Sequence, residues 1–166
     1  NRIGEVRGIL PHQGVEPVMQ EALDGKLSEF GGEADAYRKK SEDMRMLTAL
    51  EKKRENDEPF TKDDLVLLYE INGTIEGFGY QKDPRVQEII ARRNQRSDLS
   101  SVFNCQEEQI ALNEKEALRG DVVFFGGDLY LNGLTSAEGL TLPEHIGGYL
   151  YLNGLTSAEG LTLPEH

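Results

Sequence analysis

Leu129 to His145 reads LYLNGLTSAEGLTLPEH, and Leu150 to His166 reads the same, letter for letter, at an offset of 21 residues. Gly126-Gly127 recurs as Gly147-Gly148, and Asp128 against Tyr149 is the single mismatch in the unit. Within a unit, Leu129 and Leu131 flank Tyr130, and Leu140 and Leu142 flank Thr141. Alternation at period two marks short strands with one apolar face. Asn132-Gly133, Gly139 and the glycine pairs read as corners, and Pro143 sits after the second strand, where a missing donor is tolerable. Each unit offers Leu129, Leu131, Leu134, Leu140, Leu142 and Ile146 to one interior. One copy cannot bury its own leucines, whereas copies stacked at about 4.8 Å bury them against each other.

A degenerate third unit precedes these two, over residues 110–127. Ile110-Ala111-Leu112-Asn113 aligns with Leu129-Tyr130-Leu131-Asn132, and Phe125 takes the place of Ile146. Asn113 and Glu116 have the spacing of a capping box, which predicts a brief helix there. The resulting expectation is a cap rung at 110–127 and a β-solenoid or leucine-rich-repeat-like array at 128–166. Leu161 and Leu163 would then lie on an open apolar edge. The lack of an initiator Met and the stop at a unit boundary read as the ends of a longer chain.

Residues 1–109 have a different character. They hold every Lys and Arg except Lys115 and Arg119. Val15 to Phe30 predicts one or two short helices, interrupted by Pro17 and Gly25. Glu33 to Glu55 predicts a longer helix with Met44, Leu47 and Leu50 on one stripe and Tyr37 two turns earlier. Thr61 to Asp64 is a helix start signal, with Leu65 to Ile71 buried behind it and Asn72-Gly73 ending it. Pro84 opens a helix through Arg93 with Val86, Ile89 and Ile90 inward, and Asp98 to Asn104 forms a last short one. The fold class expected is α+β, with a helical domain at 1–109 ahead of the repeats.

Composition bounds the function. The 166 residues carry a formal net charge of -12, which repels phosphate backbones and argues against nucleic acid as a partner. The longest apolar run, Leu65 to Tyr69, is far short of the ~20 residues of a spanning helix, so membrane insertion is not expected. The lone Cys105 permits no internal disulfide, and with no signal peptide visible a cytoplasmic location is expected.

No catalytic constellation or cofactor motif is recognisable. There is no G-x-x-x-x-G-K-[ST] phosphate loop. Cys105 and His12 come from distant segments and match no nucleophile signature. His145 and His166, each after a Glu, would recur in a column, but a duplicated solvated corner explains them better than a metal site. Arg92, Arg93 and Arg96 read as helix-end cations, and Asn72-Gly73-Thr74 as a turn rather than a glycosylation sequon. No catalytic, cofactor or metal residues are therefore assigned.

Outward-pointing residues are the better lead. Tyr130 and Tyr151 fall in one column with Tyr149 at its edge, and Thr141 and Thr162 form a second. Asn132 and Asn153 suit a hydrogen-bonded ladder at a corner. Tyrosines in a row on a rigid face stack on a partner's side chains or on sugar rings. The leading expectation is a non-catalytic scaffold that binds another protein, with a glycan as the other ligand the rings suit. Self-assembly through the open edge is the second class. An enzyme in the helical region, with the repeats as its targeting module, is the third.

The unit GLTSAEGLTLPEHIGG, behind Leu67-Leu68-Tyr69-Glu70-Ile71 and Ile75-Glu76-Gly77-Phe78-Gly79-Tyr80, resembles bacterial 21-residue repeat proteins with no assigned activity. The resemblance spans about residues 35–166. More distantly, Leu142-Pro143 through Ile146, Leu150, Leu152 and Leu155 is similar to bacterial leucine-rich repeats, which mostly bind proteins. Asn153 directly follows the Leu-x-Leu strand instead of sitting two residues further on, which leaves an arc and a straight stack both open.

Overall fold

The computed structural model describes residues 19, 22–23, 25–26, 32–79 and 82–164. The two helices expected over Val15 to Phe30 fall largely outside them. Helix α1 spans Gly32–Glu55. Glu33 and Asp35 in its first turn and Lys52, Lys53 and Arg54 in its last complement the helix dipole. Helix α2 (Lys62–Leu68) begins with a complete capping box between Thr61 and Asp64, which satisfies two otherwise orphaned N–H groups. Asp83 caps α3 (Pro84–Ile90), where proline's fixed φ suits the first turn. Asn94 caps α4 (Gln95–Phe103), which ends on Asn104 in the left-handed region at φ 57°. The helices converge on a core of Leu47, Leu50, Leu68, Ile75, Val86 and Ile89.

The second half is built from two-residue strands. They are β1 (Ile110–Ala111), β2 (Phe124–Phe125), β3 (Leu129–Tyr130), β4 (His145–Ile146) and β5 (Leu150–Tyr151). Helix α5 (Glu114–Ala117) fills the connection from β1 to β2. The strands form two parallel sheets, one ordered β1-β2-β4 and one pairing β3 with β5. Beneath them lies a core of Ala111, Ala117, Val122, Phe125, Leu129, Leu131 and Ile146, with Leu134, Leu140, Leu142, Leu150 and Leu152 packed against it.

The expected solenoid or leucine-rich-repeat-like array does not form. The molecule is a mixture of helices and small parallel sheets, and among the described residues its strands do not build a repeat array. The reason lies in the unit's own punctuation. Corners at Asn132-Gly133, Gly139 and Gly147-Gly148 leave no run long enough to extend a ladder. The second strand expected at Leu140–Leu142 carries no β pairing, and it runs directly into buried Pro143, which has no N–H to give. The register of the degenerate unit differs too. Ile110 pairs with Phe124, and Phe124 with His145, so Ile110 stands in the His145 column and not in that of Leu129.

The helices and the sheets share packing. Leu99 of α4, Ile110 of β1 and Phe124 of β2 form one buried cluster. Phe103 stacks on Phe124 at 4.4 Å between ring centroids. Arg96 donates to the Ile110 carbonyl and, at 2.6 Å, to Glu116 Oε2. The degenerate unit at 110–127 is thus held from the helical side.

Candidate functional site: a tyrosine face

Pairing of β3 with β5 sets Leu129 against Leu150 and Tyr130 against Tyr151. The N–H groups of Leu129 and Leu131 donate to the carbonyls of Tyr149 and Tyr151, each at 2.8 Å. Leu129 points into the core with no exposure, so strand geometry turns Tyr130 outward, and it is 52% exposed. The rings of Tyr130 and Tyr151 stack at 4.5 Å with an angle of 7° between planes. Tyr149, 71% exposed, lies 6.2 Å from Tyr151 at 57°. The three tyrosines singled out by the repeat therefore share one surface.

Asp128 belongs to this surface, although the sequence marks it only as the mismatch in the unit. Its Oδ1 accepts the Tyr149 N–H at 2.7 Å, and its Oδ2 accepts the Tyr130 hydroxyl at 3.1 Å. That second bond raises the Tyr130 phenol above its ordinary pKa, because ionisation would set two negative oxygens against each other. Gly148 makes the arrangement possible: a Cβ there would stand 2.5 Å from Asp128 Oδ1 and 2.6 Å from the Gly127 carbonyl carbon. The copies also meet at the expected asparagine corner, through a backbone N–H of one copy and a side-chain oxygen of the other. The Asn153 N–H donates to Asn132 Oδ1 at 3.2 Å. Thr156 adds bonds from its N–H and its hydroxyl to the Thr135 carbonyl, at 3.1 and 2.8 Å.

The threonine column is not assembled in this way. Thr141 and Thr162 are both exposed, but neither lies in a paired strand. His145 packs against Phe103, with centroids 5.1 Å apart, while His166 lies outside the described residues. Among the described residues no group of three potential metal ligands occurs. His12 also lies outside them. Burial, reinforced by nearby Glu144, raises the Cys105 thiol pKa, which opposes the thiolate that a nucleophile requires.

Two of the three helix-end arginines are engaged internally. Arg93 clamps Asp98 through Nε at 2.6 Å and Nη2 at 2.8 Å, and Asp98 also accepts the Tyr69 hydroxyl at 2.8 Å. Burial and that hydrogen bond push the Tyr69 phenol pKa up. Arg93 also lies 4.3 Å above the Phe60 ring. With Arg96 bound to Glu116 and Ile110, these side chains fasten the fold rather than form a phosphate-binding patch.

A cleft of about 420 Å³ between the helices and β1–β2 includes Glu70 and Lys82, which are ion-paired, and Gln87 and Gln95. No helix of the described residues is long and apolar enough to cross a membrane. No protein-family model, curated protein or solved structure matches the chain.

Proposed function

We propose that the chain is a non-catalytic binding module whose Tyr130, Tyr149 and Tyr151 face engages another protein. The observation that carries this reading is the stacked pair of exposed Tyr130 and half-buried Tyr151, held in register by backbone pairing. Rings fixed in this way lose little conformational entropy on binding, and tyrosine brings a large apolar area with a polar tip. Leu129 anchors the strand from below, so the face is rigid without help from a ligand.

The test is an array of immobilised random peptides beside a glycan array, probed with the full chain and with the Tyr130→Ser/Tyr149→Ser/Tyr151→Ser variant. The expected result is peptide binding that the triple variant loses while its circular dichroism and unfolding midpoint stay near those of the parent. Binding to glycans alone, or peptide binding that survives the substitution, would overturn the proposal.

A further inference from the structure

We infer that the tyrosine face recognises a cationic segment of its protein partner, with an arginine stacked on an open ring and bonded to Asp128. This inference rests on the binding reading above and specifies its chemistry. Three observations converge on it.

Asp128 places a carboxylate at the Tyr130 hydroxyl and the Tyr149 amide, and these two contacts use only two of its roughly four acceptor positions. The rings of Tyr130 and Tyr149 are 52% and 71% exposed, which leaves aromatic surface open next to that carboxylate. Residues 126–166 contain no Lys or Arg, and their charged side chains are Asp128 and the glutamates at 138, 144, 159 and 165.

Arginine fits this combination better than other side chains. Its planar guanidinium lies flat on an aromatic ring, and its fork of N–H donors bonds a carboxylate in the same pose. Lysine offers a point charge without the plane. A neutral sugar can stack on the ring, but gains nothing from the chain's net charge of -12. The molecule shows the same recognition internally, where Arg93 covers the Phe60 ring and pairs with Asp98.

The experiment titrates the full ¹⁵N-labelled chain with an acetylated, amidated Gly-Arg-Gly-Arg-Gly peptide, followed by NMR. The controls are the same peptide with citrulline for arginine and a Gly-Tyr-Gly-Tyr-Gly peptide. Expected are amide shifts centred on Asp128, Tyr130, Tyr149 and Tyr151, with citrulline binding about tenfold weaker. Asp128→Asn should weaken the arginine peptide about tenfold. Glu33→Gln/Glu107→Gln removes more charge from exposed positions elsewhere and should change binding less than twofold.

Shifts scattered over the helices, or equal losses from Asp128→Asn and the glutamine double variant, would show unspecific charge attraction and overturn the inference. Citrulline or tyrosine peptides binding the face as tightly as the arginine peptide would also overturn it, while leaving the binding reading intact. If no peptide moves the tyrosine amides and the array shows no tyrosine-dependent capture, the binding reading itself falls.

Discussion

Gly133 and Gly154 occupy the same place in two identical stretches of sequence, yet the structure assigns them opposite tolerance to a methyl group. A Cβ on Gly154 would stand 2.2 Å from the Asn132 carbonyl oxygen and 2.9 Å from that of Leu134, whereas a Cβ on Gly133 meets nothing within 4 Å. Both obstructing atoms are backbone, so no side-chain rotation relieves the clash. Restoring ordinary contact at 3.4 Å requires the second copy to lift from the first by about 1.2 Å. Four bonds cross the junction there: Leu131 N–H to Tyr151 O at 2.8 Å, Asn153 N–H to Asn132 Oδ1 at 3.2 Å, and the Thr156 N–H and hydroxyl to Thr135 O at 3.1 and 2.8 Å. An opening of that size takes them past hydrogen-bonding range. At about 0.5–1.5 kcal/mol for each net bond, Gly154→Ala should cost about 2–6 kcal/mol. Gly133→Ala should stay within about 0.5 kcal/mol of the parent. Urea unfolding of the two variants measures the difference. Hydrogen exchange at the Leu131 and Thr156 amides locates it, with faster exchange only in Gly154→Ala. Equal effects of the two substitutions would refute the stacking of one copy on the other.

Two further outcomes follow from the ionic contacts. Asp98→Ala strips Arg93 and Tyr69 of their common acceptor at a residue only 9% exposed, and should destabilise the chain by about 3–5 kcal/mol, read from chemical denaturation. A loss under 1 kcal/mol would show that water replaces the carboxylate. Acid should weaken the junction between α4 and α5. The Leu112 N–H, followed by the Arg96 guanidinium, lowers the Glu116 pKa to about 2. A depressed carboxyl contributes stability that is present above its ordinary pKa near 4.5 and is lost as pH falls toward 2. Glu116→Gln should therefore lower stability by a constant amount above about pH 6 and flatten the profile between about pH 4.5 and 2, where the parent loses this contribution, and an unchanged acid limb would contradict the assignment.

Much of the helical half was legible in local chemistry. Thr61 with Asp64, and Pro84, mark helix starts that the structure places at Lys62 and Pro84. Caps and apolar periodicity act within a few residues, which is why sequence shows them. The ends were less legible: the helix from Pro84 stops at Ile90, short of the expected Arg93, and Asn94 is already extended as the cap of the next helix. In the repeats, the spacing correctly identified an apolar set and an outward Tyr130, since alternation is a property of the chain itself. It misjudged what those pieces assemble into, because ladder length depends on which N–H and C=O groups meet across copies.

By itself, then, the sequence determined the 21-residue duplication, the capped helices, the leucines that face inward and the excess of acid. Tertiary structure alone decided the rest. It split the strands into two short parallel sheets, put Ile110 beside Phe124 and gave the mismatched Asp128 two partners. It also made identical residues unequal: Leu129 is fully buried, while its counterpart Leu150 is only partly so. The physical reason is neighbourhood. One copy pairs with the degenerate unit through Phe124–Phe125 and with its duplicate through Leu150–Tyr151, the other pairs only with the first among the described residues, and identical letters cannot encode the difference.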